Sequence, residues 1–374
     1  MTDSERGQTL TQVETARTGQ LEAAESTSAL RVSDSATWRT VLHRAIRLAS
    51  RPEPWKRGPV LVALALLLGL LMLLHAKITN TGGLGSLVET FLPWFGLFVP
   101  VLLVGALWRR SASAVVALLL PVTVWLNLFG GLLGDKSQAG GDLTVVSHNV
   151  GADNPDPTGT ARELTASGAD VLALEEITPQ ALGEYEKALA KTYPHHVVRG
   201  TVGLWSKLPL SDTRTVDVAM RGMVGRLAEH LSPEERAATP RGLRTTVATD
   251  QGPLAVYVAH LGSVRVMPRN GFWTAQRDGG AQELAKALAA ERNERVVLLG
   301  DLNGTTGDRA FASLTSQLRS AQDIAGDGFG FTWPARFAVA RIDQILVRGV
   351  EPDSSWVLPA TGSDHLPVAA RISW

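Results

Sequence analysis

The 374-residue chain contains no cysteine, which excludes disulfide bonds, thiolate catalysis and cysteine-ligated zinc together. It lacks net charge as well: 36 Lys+Arg face 36 Asp+Glu, so no global field announces nucleic acid or another polyanion as partner. The scarcest feature is local. From Gly58 to Gly134 the only charged residues are Lys77, Glu89, Arg109 and Arg110, a composition that argues against a soluble single-domain protein. Disorder of the whole chain is excluded, because residues 142–374 carry enough alternating apolar segments to bury a substantial core.

Three apolar runs fill the charge-poor span: Pro59 to Ala76, Leu87 to Leu107 and Ala112 to Leu133. Each approaches the about 17–25 residues that cross a bilayer, which predicts three transmembrane helices over 58–134. Glu89, near the edge of the second run, reads as a boundary residue reaching the interface. Six basic residues (Arg39, Arg44, Arg47, Arg51, Lys56, Arg57) against Glu53 precede the first run, and Arg109-Arg110 links the second and third. The positive-inside rule then places the N-terminus in the cytoplasm and the chain after Gly134 outside, giving a multi-pass cell-membrane protein. A cleaved signal peptide fits poorly behind so long an N-terminal tail. Within the cytoplasmic segment 1–57, residues 1–35 are rich in Thr, Ser, Glu and Gln and read as disordered. Trp38 to Ala49 keep the i, i+3, i+4 spacing of a basic amphipathic helix suited to the inner leaflet.

From Asp142 the pattern is that of a mixed α/β domain, 142–374. Strands are expected at Leu143–Asn149, Asp170–Leu174, Val197–Trp205, Leu243–Thr249, Leu254–His260, Arg295–Leu299, Arg341–Val347 and Leu366–Ile372. Thr178-Pro179 opens a helix to about Lys191, and a longer helix is expected from Gly271 to Asn293. Asp250-Gln251-Gly252-Pro253 reads as a turn between antiparallel strands, and Met220 to Arg241 as an irregular insertion.

Polar residues gather where these strands end. Asn149 closes the first, Glu175 and Glu176 the second, and His260 the hairpin strand. Asp301 and Asn303 follow Val296-Val297-Leu298-Leu299-Gly300, Asp343 lies within Arg341-Ile342-Asp343-Gln344-Ile345-Leu346, and Ser363-Asp364-His365 precedes the last strand. Carboxylates, amides and imidazoles so placed suit a hard divalent cation held beside an anionic phosphoryl group. Alone, Asn303-Gly304 is equally a tight-turn signal, and a single histidine is more often structural than catalytic.

Six segments in this order resemble the endonuclease/exonuclease/phosphatase family, whose fold is like that of pancreatic deoxyribonuclease. They are Ser147-His148-Asn149-Val150, Ala169 to Glu176, Ala259-His260-Leu261, Gly300-Asp301-Leu302-Asn303, Arg341 to Leu346 and Gly362-Ser363-Asp364-His365-Leu366-Pro367. The resemblance implies a four-layered α/β sandwich and hydrolysis of phosphate esters with Mg²⁺ or Mn²⁺. It implies Glu176 as principal metal ligand, with Asn149 supporting and Asp364 acting through a water or at a second cation position. Asp301, as general base, and Asn303 would hold the attacking water and the phosphate. His260 and His365 would donate to phosphate oxygens, and Asp343 would orient His365. Glu175 stands where the family often has Gln, which leaves it a supporting or surface residue.

Other features take plainer readings. His195-His196 should split between surface and interior, Trp333 should pack under the site, Arg277 and Gln282 look structural, and Lys207 reads as solvated surface. The expected activity is that of a membrane-anchored phosphoesterase using in-line attack by water on a phosphodiester of nucleic acid. A phospholipid headgroup or small phosphoester, in the manner of the family's sphingomyelinases, is the alternative. Residues 142–374 hold 23 Lys+Arg against 27 Asp+Glu, which lowers the odds on a nuclease. A non-catalytic binding ectodomain is the alternative of a different class. The bilayer and the substrate are the partners implied, and no protein partner is.

Overall fold

The structure, a computed structural model, describes residues 55–218, 240–269 and 271–374. The tail 1–35, the amphipathic helix expected over 38–49 and nearly all of the insertion 220–241 lie outside the described residues. Packing divides the chain into two units, Met1–Leu67 with Val99–Leu120, and Leu68–Phe98 with Pro121–Trp374.

The helices of the apolar region are α1 (Pro59–Leu73), α2 (Leu84–Phe91), α3 (Phe98–Trp108), α4 (Ala112–Ala117) and α5 (Leu119–Phe129). Among the described residues two successions of helical turns, Thr81–Trp108 and Ala112–Leu132, are long and apolar enough to cross a membrane, each with mean hydropathy 2.0. The first expected run falls short. Its helix stops at Leu73 after 15 residues, against the roughly 20 that a bilayer requires. Leu74 leaves the helical conformation and His75–Lys77 tighten into a 3₁₀ turn. In the first unit Ala65, Ala117 and Leu118 form a small apolar cluster with Val62, Val99 and Leu102. Ser111 caps α4 by accepting from the Ala114 amide at 3.2 Å.

Among the described residues the second unit has 14 strands: β1 (Leu143–Asn149), β2 (Val171–Glu175), β3 (His195–Arg199), β4 (Val202–Ser206), β5 (Leu210–Thr215), β6 (Gly242–Thr249), β7 (Gly252–Ala259), β8 (Arg265–Met267), β9 (Gly271–Trp273), β10 (Val296–Asp301), β11 (Arg319–Ser320), β12 (Asp343–Arg348), β13 (Glu351–Val357) and β14 (Val368–Ser373). Twelve of them form two six-stranded mixed sheets, in the orders β13-β14-β1-β2-β4-β3 and β11-β12-β10-β7-β6-β5. The pairs β1·β2 and β7·β10 are parallel and the other pairings antiparallel.

Period-two alternation builds the layers. Val145, Val171 and Ala173 of the first sheet join Val256, Val258, Val297, Leu299, Ile345 and Val347 of the second in one core between the sheets. The intervening residues point outward. Val146, Leu172 and Leu174 pack with Ala161 and Leu164 of α6 (Pro157–Ala166) and Tyr185 and Leu189 of α7 (Pro179–Leu189). Tyr257, Val296 and Leu298 pack with Ala281, Leu284 and Leu288 of α8 (Ala275–Ala289). The α/β fold with two mixed sheets is therefore layered helix, sheet, sheet, helix.

Three local expectations change. Val197–Trp205 is two strands, because Gly200 takes φ +59 and turns the chain between β3 and β4. The long helix begins only at Ala275, since Gly271–Trp273 pairs with β8. Glu89 is not at an aqueous boundary. It is 4% exposed and holds Arg309, whose Nη2 donates to Oε1 at 2.8 Å and whose backbone amide donates to Oε2 at 3.0 Å.

Candidate active site

The alternation that fills the core also assembles the polar cluster. The inward set Val145, Ser147, Asn149 ends β1, and Val171, Ala173, Glu175 ends β2; across the gap Val297, Leu299, Asp301 ends β10, and Asp343, Ile345, Val347 begins β12. Apolar residues give way to polar ones at one end of both sheets. The sheets meet there through Asn149, whose Nδ2 donates to Asp301 Oδ2 at 2.9 Å.

Asp301 is 1% exposed. Its Oδ1 accepts from the Asn303 amide at 2.8 Å and its Oδ2 from Asn303 Nδ2 at 3.2 Å. This grip keeps Asn303 at φ +52, a conformation asparagine tolerates better than most residues. Burial raises the Asp301 carboxyl above its ordinary value, the nearby Asp343 adds to the effect, and His365, His260 and Asn149 oppose it.

Asp343 and His365 form a buried pair, with Nδ1 3.0 Å from Oδ2 and 3.1 Å from Oδ1. Burial works against a charged imidazole here. Attraction and hydrogen bonding from Asp343, with Asp301 and Asp364 beyond, outweigh it and push His365 up to about 10. Nε2 of His365 lies 3.8 Å from Asp301 Oδ2. His260 behaves oppositely. Burial pushes it down to about 4 despite Asp301, and neither of its ring nitrogens has a hydrogen-bond partner.

The two adjacent glutamates occupy different places. Glu175 is fully buried on the inward face, accepts from Ser147 Oγ at 3.0 Å and leaves Oε2 without a partner. Burial, reinforced by Asp343, lifts its carboxyl well above the usual range, which favours the neutral form. Glu176 follows β2 at φ +61, accepts from the Ala152 amide at 3.1 Å and sits 3.5 Å from His260 Nε2, with its side chain about 30% exposed. Asp364 is exposed at the rim, where its Oδ2 accepts from Trp333 Nε1 at 3.2 Å.

The structure thus gathers Asn149, Glu176, His260, Asp301, Asn303, Asp343 and His365, with Asp364 at the edge. Trp333 is not beneath the site: it is 38% exposed beside Asp364. Neither residue of the His195-His196 pair is buried. His196 stacks on Trp205 and lies 3.4 Å from Glu186. Ser147, Thr332 and Arg277 support the site without having been expected there. Thr332 Oγ1 accepts from the Asp343 amide at 3.4 Å, and Arg277 Nη1 donates to the Asn303 carbonyl at 3.3 Å. Only the parity of Ser147 with Asn149 could have singled it out; Thr332 and Arg277 act from other segments and leave no such signal.

A divalent metal fits these residues. Glu176 offers a carboxylate open to solvent and Asn149 an amide oxygen, with the Asp364 carboxylate at the rim, while the buried Asp301, Asp343 and His365, whose donor atoms lie within 4.8 Å of one another, are engaged with each other and with Asn149 and Asn303. Hard oxygen donors predominate, as Mg²⁺ and Mn²⁺ prefer.

The model of the endonuclease/exonuclease/phosphatase family matches residues 146–365. Among curated proteins no match is found. Similar solved structures include a functionally unknown conserved protein from Enterococcus faecalis (15% identity, 62% of this chain and 99% of that chain, TM-score 0.48). Beta toxin from Staphylococcus aureus is 14% identical over 61% of this chain and 99% of its own, with TM-score 0.46. D. rerio TDP2 complexed with single strand DNA product is 17% identical over 62% and 99%, with TM-score 0.48. The family match extends from the residue before Ser147 to His365 and so takes in every strand end that carries the polar cluster. By that match the chain belongs to the endonuclease/exonuclease/phosphatase family and is a metal-dependent phosphoric ester hydrolase.

Proposed function

We propose that the chain hydrolyses a phosphodiester by in-line attack of water, with no covalent enzyme intermediate. The observation that carries this reading is the buried Asp343–His365 pair facing Asp301, an arrangement that supplies a charged donor beside a carboxylate of raised basicity. Asp301 accepts the proton of the attacking water, and Asn303 and Asn149 fix its oxygens. His365, held positive by Asp343, donates from Nε2 to a non-bridging phosphate oxygen as charge grows there. His260 enters neutral and offers a second donor. Glu176 and Asn149 would hold the metal, with Asp364 at the rim position; when bound, the metal supplies Lewis-acid polarisation of the phosphoryl group.

Nucleic acid is the first substrate class. A phospholipid or small phosphoester is favoured by a separate observation, the −4 balance of residues 142–374 beside two apolar helices long enough for a bilayer. The basic flanks further support a membrane-anchored protein with a cytoplasmic N-terminus and an outward catalytic domain. Protease added to intact cells should shave residues after Gly134, and protection until lysis would reverse that topology.

The decisive assay takes the full chain through single- and double-stranded DNA, RNA, phospholipid vesicles and small phosphodiesters with Mg²⁺, Mn²⁺ or Ca²⁺. Turnover that is abolished by chelation and restored by Mg²⁺ or Mn²⁺ is expected. Turnover of phosphomonoesters alone would refute the phosphodiester reading.

A further inference from the structure

A cavity of about 580 Å³, within the size range of small-ligand sites, lies apart from the cluster just described, and none of the eight proposed site residues lines it. One wall is apolar. Leu92 comes from the helical stretch Thr81–Trp108, Phe129 and Leu132 from Ala112–Leu132, and Phe329 and Phe331 continue the surface, stacked at 5.2 Å. Thr306, Asp323 and Arg341 add a polar part to the lining.

Arg341 is 8% exposed and only partly used. Its Nη2 donates to Asp323 Oδ1 at 2.6 Å and to Thr306 Oγ1 at 3.0 Å, whereas Nη1 is buried without a hydrogen-bond partner. Nη1 carries two of the five donors of a guanidinium, and leaving them dry is costly unless a ligand accepts from them. On the cavity wall Arg319 and Arg341 balance Glu89 and Asp323, so a positive excess comes only from Lys136 beside Gly131. Arg309 is paired with Glu89 and Arg319 with Glu351; Arg341 is paired with Asp323; Lys136, whose Nζ donates to the Gly131 and Asp323 carbonyls, is the additional cation.

We propose that this cavity binds one anionic phospholipid, its phosphate accepting from Arg341 Nη1 and its acyl chains lying along the Phe129–Phe329–Phe331 wall. A free phosphate would satisfy Arg341 and leave the aromatic wall wet, and an uncharged apolar ligand would leave Nη1 unpaired. An amphiphile satisfies both. The apolar wall draws on the two helical stretches of membrane-spanning length, where such a ligand is abundant, and residues 92–132 lie outside the 146–365 shared with the family. The site therefore joins part of this chain's own helices to the edge of the family domain, which supplies Arg341, and is independent of which phosphoester is hydrolysed.

The test uses the full chain, delipidated in detergent and returned to phosphatidylglycerol, phosphatidylcholine or glycerol 3-phosphate, with bound ligand counted by native mass spectrometry. One phosphatidylglycerol per chain is expected, with at least tenfold weaker retention in Arg341→Gln. Because Arg341 also ties Thr306 and Asp323, a second variant is needed. Gly131→Phe adds a ring at the cavity wall, where nothing lies within 4 Å of a Cβ, and leaves Arg341 untouched. It should cut retention as far while keeping the wild-type melting temperature. Undiminished phosphatidylglycerol in either folded variant overturns the proposal. So does equal binding of phosphatidylcholine, which removes the role of the added cation Lys136, or equal binding of glycerol 3-phosphate, which removes that of the apolar wall.

Discussion

Asp343 holds the imidazole of His365 through both carboxylate oxygens, at 3.0 and 3.1 Å from Nδ1, and leaves Nε2 directed to the side where Asp301 lies. The two residues are 22 positions apart, Asp343 at the start of β12 in one sheet and His365 in the segment that leads into β14 of the other, so nothing local forces the contact. It exists because β12 begins with Asp343 on its inward face and the Ser363 hydroxyl, which accepts from the His365 amide at 3.1 Å, turns the segment before β14 toward it.

A carboxylate that orients an imidazole matters only while the imidazole is present, so the pair should act as a unit. Asp343→Asn and His365→Ala are each expected to lower kcat by about two orders of magnitude, the scale of losing a preorganised donor. The double variant should be little slower than His365→Ala alone. Penalties that multiply in steady-state kinetics would show that Asp343 acts apart from His365.

Glu176→Gln removes a negative charge from the solvent-open side of the site and is expected to weaken Mg²⁺ binding, read by calorimetry, far more than Glu175→Gln. Glu175 is buried and biased to its neutral form, which Gln resembles in shape and charge. Its replacement should change metal affinity by less than about threefold. A larger metal effect from Glu175→Gln would place the ligand one residue earlier.

The order of these groups was legible because each sits where an apolar, period-two run meets a polar residue, as in Leu298-Leu299-Gly300-Asp301. The strand candidates followed from that pattern, and the family resemblance from the order of the six motifs at their ends. The sorting of Glu175 from Glu176 did not, since it depends on the chain leaving β2 at φ +61, a backbone event without a period. Glu89 was misread for a related reason. Beside an apolar run a carboxylate looks interfacial, and only the tertiary fold brings Arg309 to it from a position 220 residues away. The helix of the first apolar run stops short where the carbonyls of His75 and Ile78 turn to accept from that same Arg309.

That contact is itself testable. Removing one partner strands the other's charge, so Glu89→Ala and Arg309→Ala should each destabilise the chain by about 3 kcal/mol, the lower end for a buried pair because Arg309 is partly exposed. Replacing both with Met should restore part of the loss, since no unpaired charge then remains. Denaturant titration in detergent reads this, and a double variant worse than either single would show that the pair's geometry, not its charge balance, is what the fold needs.

On the outer side of the second sheet, Glu291 anchors a network remote from the active site. Arg244 donates to it from Nε at 2.8 Å and from Nη2 at 3.1 Å, with the Tyr257 hydroxyl and the Asn293 amide each at 2.9 Å. Burial pushes the carboxyl up, but Arg244, Asn293 and Tyr257 outweigh it and hold it at about 2, below the ordinary 4.5. A carboxyl depressed by folding contributes stability that is complete above its unfolded value and fades as pH falls through its folded one. Glu291→Gln should therefore melt below wild type at pH 7 by a margin that narrows from about pH 4.5 and closes only as the pH falls through about 2, where the native side chain itself becomes protonated. A margin that stays constant across this window in thermal melts would mean that Glu291 stabilises the sheet by packing and not by charge.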